Sequence, residues 1–181
     1  DGKIVLAHNT FENFVSGQYC NYIVSIKPEN GSEIIMQTQP GLIWSGTDFF
    51  VSKNEKKGTN FIGSETTIGG FLPYELGNPV FCRIRKGMQY AEKLEDFETF
   101  LLDGNTGGYA NSWIFGDVKK NKIMRIELGL KYHNTEYKTN GYFIGFNGSY
   151  DPRIRTLECR AQGFLDIRRH QGARHVRLEQ L

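Results

Sequence analysis

Three segments of this sequence set aromatic rings beside Gly, Asn, Ser and Asp. They are Trp44-Ser-Gly-Thr-Asp48, Gly108-Tyr109-Ala-Asn111-Ser-Trp113 and Asn147-Gly-Ser-Tyr150-Asp151. A rigid ring that stacks on a sugar, with Asn and Asp reading its hydroxyls, meets the physical needs of a glycan site. The same residues also suit a protein-binding surface. Trp113, Tyr109 and Asn111 are therefore the first candidates for ligand binding, followed by Trp44, Asp48, Tyr150 and Asp151. The competing explanation is that these rings pack a β core, which aromatic residues commonly do.

Catalytic chemistry has less support in the sequence. The histidines are His8, His133, His170 and His175, and there is no Gly-x-Ser-x-Gly elbow to present a nucleophile. Glu127, Glu136 and Glu158 could in principle supply the two carboxylates of a glycoside hydrolase. Outward-pointing Glu on a strand is, however, usually a solvated residue. Asp103-Gly-Asn-Thr-Gly-Gly has too little acidic density for a calcium loop and reads as a turn. Cys20, Cys82 and Cys159 contain no CxxC pair, so zinc spacing is absent. At most one intrachain disulfide can form among them, and free buried thiols fit equally well. No metal or cofactor is expected.

The elements that must position these residues follow from hydropathy patterning. Met124, Ile126, Leu128, Leu130 and Tyr132 alternate with Arg125, Glu127, Gly129 and Lys131, the period of a strand with one buried face. Residues 22–27 and 33–38 flank an Asn30-Gly31 turn and form the strongest hairpin signal in the chain. Further strands are expected at 42–44, 48–52, 60–64, 66–72, 79–85, 112–115, 141–146 and 154–161, with 134–140 as a polar connection. Met88, Ala91, Leu94, Phe97 and Leu101 are spaced by three and four, which predicts one short helix near 88–102. The expected fold is all-β and mainly antiparallel: a β-sandwich, jelly roll or β-prism. Residues 18–36 resemble the opening of a CUB module, and 142–150 resemble the closing loop of jacalin-type lectins. The paired cysteine of the first family and the sugar-binding loop of the second are missing, so neither resemblance assigns a family.

The chain has 181 residues, 39% hydrophobic and 23% charged, which fits a single globular domain over 1–167. Residues 168–181 form a basic tail with four Arg and one Glu, whereas the overall net charge is only +2. The positive charge is confined to that tail with no aromatic stripe beside it, which argues against nucleic acid as the main partner. No apolar run reaches membrane-spanning length. No apolar leader opens the chain, as in a mature form or a protein made without one. Two sequons, at Asn30 and Asn147, lean toward a secreted or extracellular-surface glycoprotein. The reading from sequence is thus a non-catalytic domain that binds a glycan or a cell-surface protein. A carbohydrate-acting hydrolase and a structural or assembly subunit, with homo-oligomerisation left open, are the alternatives.

Overall fold

The structure is a computed structural model that describes residues 3–70 and 73–159. The basic tail at 168–181, with His170 and His175, lies outside the described residues. Seven strands form one antiparallel sheet: β1 (Tyr22–Ile26), β2 (Glu33–Thr38), β3 (Phe49–Asn54), β4 (Thr59–Thr67), β5 (Asn111–Asp117), β6 (Lys122–Leu128) and β7 (His133–Lys138). Their spatial order equals their sequence order, so the sheet is a simple meander. Helix α1 (Phe14–Gly17) precedes the sheet. Helices α2 (Val80–Tyr90) and α3 (Leu94–Leu102) sit in the long connection between the adjacent strands β4 and β5.

The mainly antiparallel β character matches the expectation. The described residues form one open sheet with a helical hairpin on one face, and a second sheet that would complete a sandwich is not among them. Register explains the core. Ile34 and Met36 of β2, Phe50 of β3, Phe61 of β4, Trp113 and Phe115 of β5, and Met124, Ile126 and Leu128 of β6 all turn toward the helices. They meet Ile84, Met88, Leu94, Phe97 and Leu101 from α2 and α3. Phe97 is the hub of this contact. Its ring stacks on Phe115 at 4.5 Å and meets Phe61 edge-on at 5.3 Å. Phe50 and Phe115 close over Gly63, where any side chain would collide with the Phe50 ring.

Several expectations are corrected. Residues 79–85 are not a strand but the start of α2. Val80, Arg83, Ile84, Gly87 and Met88 are buried at helical spacing, and over the first few residues that spacing also fits alternation. The helix expected near 88–102 is two helices. Glu92 and Lys93 both donate backbone N–H groups to the Asp96 carboxylate, at 2.8 and 3.1 Å. This capping starts α3 afresh after the break at Ala91. Residues 42–44 lie in a loop, 141–146 carry no regular structure, and 154–158 form a π-helical turn in place of a strand. The expected polar connection at 134–140 instead supplies most of β7, whose inward Thr135 and Tyr137 bond to Glu98 of α3 at 2.7 and 3.2 Å.

Phe97→Ala removes the ring that joins α3 to three strands. It should cost about 3–5 kcal/mol in urea unfolding. A loss below about 1 kcal/mol would show that the hairpin is not held through this ring.

Candidate functional site

The sheet face turned away from the helices is covered only in part. The segment 3–13 and the segment 138–147 run over it and leave a groove of about 1440 Å³ between them. Ile62, Gly116 and Ile123 lie at one end of its floor, with Ile114, Ser112 and Thr66 further along. Close packing sets both walls. A side chain at Gly116 would press on Ile4 of the first wall. A side chain at Gly145 would press on Thr66 and Ile114 from the second. Thr66 Oγ1 donates to Phe146 O at 3.2 Å and Asn147 Nδ2 donates to Thr67 O at 2.9 Å, which ties the second wall to β4.

The far end of the groove holds the densest polar chemistry. Trp44, Asp48, Glu65 and Tyr109 line it together with His8 and Thr10. The loop from β2 to β3 is pinned there by Thr38 Oγ1 donating to Trp44 O at 2.7 Å and Ser45 Oγ donating to Gln37 O at 2.7 Å. The loop ends at Asp48, whose φ of 61° is in the left-handed region that non-glycine residues rarely occupy. Glu65 N donates to Asp48 O at 3.0 Å, so the two residues are held side by side.

Glu65 is the unusual group. Strand alternation puts its side chain on the same face as Phe61 and opposite Trp113, so the carboxyl points into the core and is 1% exposed. Tyr109 Oη donates to Glu65 Oε2 at 3.2 Å and also contacts Thr67 Oγ1 at 2.7 Å. Oε1 has no hydrogen-bond donor among the described residues. Burial first, then the neighbouring Asp48 carboxylate, push the Glu65 carboxyl well above the usual carboxylate range. Asp48 itself is pushed up to about 6 by burial, partly offset by its hydrogen bond with Glu65. Burial thus favours the protonated form of both groups, more strongly for Glu65 than for Asp48. The same burial, with the Glu65 and Asp48 carboxyl groups beside it, raises the Tyr109 hydroxyl, which stays protonated.

His8 adds a second proton-handling group. Its Nε2 donates to Glu65 O at 2.8 Å, and burial lowers its pKa, which favours the neutral ring. That tautomer leaves Nδ1 as an acceptor, 3.2 Å from Thr10 Oγ1. Next to Glu65 and Thr67, strand β5 places Asn111 and Trp113. Both side-chain polar atoms of Asn111 and Nε1 of Trp113 are buried without partners among the described residues.

The structure thus gathers five of the seven residues singled out from sequence at one end of the sheet. Trp44 and Tyr109 meet edge to face at 5.9 Å at the groove end, with Asp48 beside them. Asn111 and Trp113 lie behind them in the core, 0% and 1% exposed, so neither offers an open face. Tyr150 and Asp151 sit elsewhere, at β6. Glu127 there accepts from Ser149 Oγ, Tyr150 N and Asp151 N at 2.7–2.9 Å. Asp151 is held below the usual carboxylate range by Arg153. Of the carboxylates considered from sequence, Glu127 is saturated by those bonds, Glu136 pairs with Arg125, and Glu158 accepts from Lys131 N. Glu65 and His8 were not singled out from sequence. The available signal for Glu65 was its position, in step with Phe61 and Gly63 on the apolar face of a strand.

Among the described residues no group of His, Cys, Asp and Glu could hold a metal, and no helix is long and apolar enough to cross a membrane. Cys82 and Cys159 are free thiols, the latter pushed up to about 11 by burial. No protein-family model matches the chain, and no curated protein matches it.

The raised Asp48 pKa has a defined consequence for stability. Between about pH 4 and pH 6 the unfolded chain releases this proton while the folded chain keeps it, so stability falls as pH rises. Asp48→Asn cannot ionise. Relative to wild type it should be more stable by about 1–3 kcal/mol at pH 7.5, an advantage that disappears at pH 4. Urea unfolding at the two pH values checks this, and a pH-independent difference would contradict it.

Proposed function

We propose that this protein is an acid–base enzyme that hydrolyses, or transfers a group from, a substrate lying in the groove. The observation that supports this reading is the Asp48–Glu65 pair: two adjacent carboxyl groups, both pushed up by burial, at one end of the groove. Perturbed carboxyl groups in a cleft are a recognised mark of catalytic sites. Asp48, ionising near 6, is matched to general-base work on a substrate or water at physiological pH. Glu65 holds Asp48 by a hydrogen bond and is a positioning residue, as is Tyr109 through its bond to Glu65. Thr10 Oγ1 lies 3.2 Å from His8 Nδ1 and donates at 3.2 Å to Thr47 O, so it would serve as a nucleophile only by turning its proton to the imidazole.

A second reading keeps the groove and omits turnover: a secreted or surface domain that binds a glycan or a cell-surface partner. Trp44 and Tyr109 at the groove end favour it, because they place aromatic surface beside the Asp48 carboxylate.

A panel of chromogenic esters, amides and glycosides separates the two. The acid–base reading expects turnover with an acidic limb near pH 6, lowered about 10²–10⁴-fold in Asp48→Asn. Full activity in Asp48→Asn would refute it. No turnover from the folded protein, together with saturable binding on a glycan array that Trp44→Ala removes, would establish the second reading.

A further inference from the structure

A second cavity, of about 270 Å³, opens beside the groove between β6, β7 and the segment that follows β7. Its lining is Arg125, Lys138, Tyr142, Phe143, Ile144 and Tyr150. Two cationic side chains from adjacent strands therefore face one small space walled by aromatic rings. The Phe143 ring lies between them, 4.4 Å from Lys138 Nζ and 5.2 Å from Arg125 Cζ. Tyr150 covers the guanidinium from another side at 4.0 Å.

The hydrogen bonds in this cavity leave donors unspent. Arg125 Nη2 donates to Glu136 Oε1 at 2.5 Å, and Asn134 Nδ2 donates to the same oxygen at 3.1 Å. Arg125 Nε, in a side chain only 10% exposed, has no partner among the described residues. A buried guanidinium N–H without an acceptor costs free energy that an acceptor restores. Lys138 Nζ donates to Tyr142 O at 2.8 Å, and an ammonium has further N–H donors to offer. Glu127, next on the Arg125 face, is saturated by Ser149 and two backbone N–H groups and supplies no acceptor here.

We propose that this cavity is a binding site for a small organic anion. Its carboxylate would bridge Arg125 and Lys138, and its apolar body would rest against Tyr142 and Ile144. Charge-assisted bonds to both cations supply the attraction, and the aromatic walls lower the local dielectric around them. The volume is that of a compact organic acid, larger than a bare inorganic anion needs. Asp48 and Glu65 take no part in this site, so it stands or falls independently of the acid–base reading.

Benzoate and inorganic phosphate are the probes, titrated into the full chain and followed by amide chemical shifts or calorimetry. The proposal expects saturable benzoate binding, weakened about tenfold or more by Lys138→Met and by Arg125→Gln, and unchanged by Asp48→Asn. Phosphate should bind at least about tenfold more weakly than benzoate. Lys138 is exposed, so Lys138→Met keeps the fold and decides the matter alone if Arg125→Gln does not fold. Absent or non-saturable benzoate binding would overturn the proposal, as would binding that Lys138→Met leaves intact, or phosphate binding as tight as benzoate.

Discussion

The position of one carboxyl group governs the rest of the site. Strand alternation in β4 turns Glu65 toward the helix-covered face, in step with Phe61 and Gly63. Once α2 and α3 seal that face, the carboxyl cannot remain an isolated anion, because transfer of an unpaired charge into such an environment is prohibitive. Burial pushes its pKa well up, toward the protonated form, and Tyr109, Thr67 and the Asp48 carboxyl surround it. Asp48 is then placed next to this carboxyl at the groove end, and its own pKa rises as a consequence of the same burial.

The helical hairpin and the groove are therefore linked through the sheet. Phe97 packs α3 onto Phe50, Phe61 and Phe115, which fixes β3, β4 and β5 from one side. The outer side of those strands is the floor on which segments 3–13 and 138–147 lie. His8 Nε2 bonds the Glu65 carbonyl from that outer layer, while the Glu65 side chain reaches into the inner one. A single residue thus couples the core, where stability resides, to the groove, where proton transfer is proposed.

Much of the sheet was legible in the sequence because a strand with one apolar and one polar face writes its period directly. The hairpin of β1 and β2 and the inward set Met124, Ile126 and Leu128 are of this kind. Strand β7 was not legible, because its sequence is polar apart from Tyr137, and its inward Thr135 and Tyr137 both bond to the Glu98 carboxylate. Helix α2 was read as a strand because Val80, Cys82 and Ile84 alternate, although burial follows Val80, Ile84, Gly87 and Met88. Segment 141–146 is aromatic and patterned like a strand yet lies against the sheet face without pairing into it, a distinction that depends on tertiary context. The loop aromatics Trp44 and Tyr109 and the acid Asp48 stood out by composition. Glu65 was hidden by the assumption that a Glu within a strand faces water, and His8 by its distance in sequence from every partner.

The account rests on Glu65 carrying a proton at neutral pH. Infrared spectroscopy of the folded protein near pH 7.5 tests this directly, since a protonated carboxyl has a carbonyl stretch well separated from that of a carboxylate. The account expects a buried carboxylic-acid band in the wild-type protein that is lost in Glu65→Gln. A wild-type spectrum without that band would mean that Glu65 is ionised in the core, and the pair of raised carboxyl groups with Asp48 would not exist.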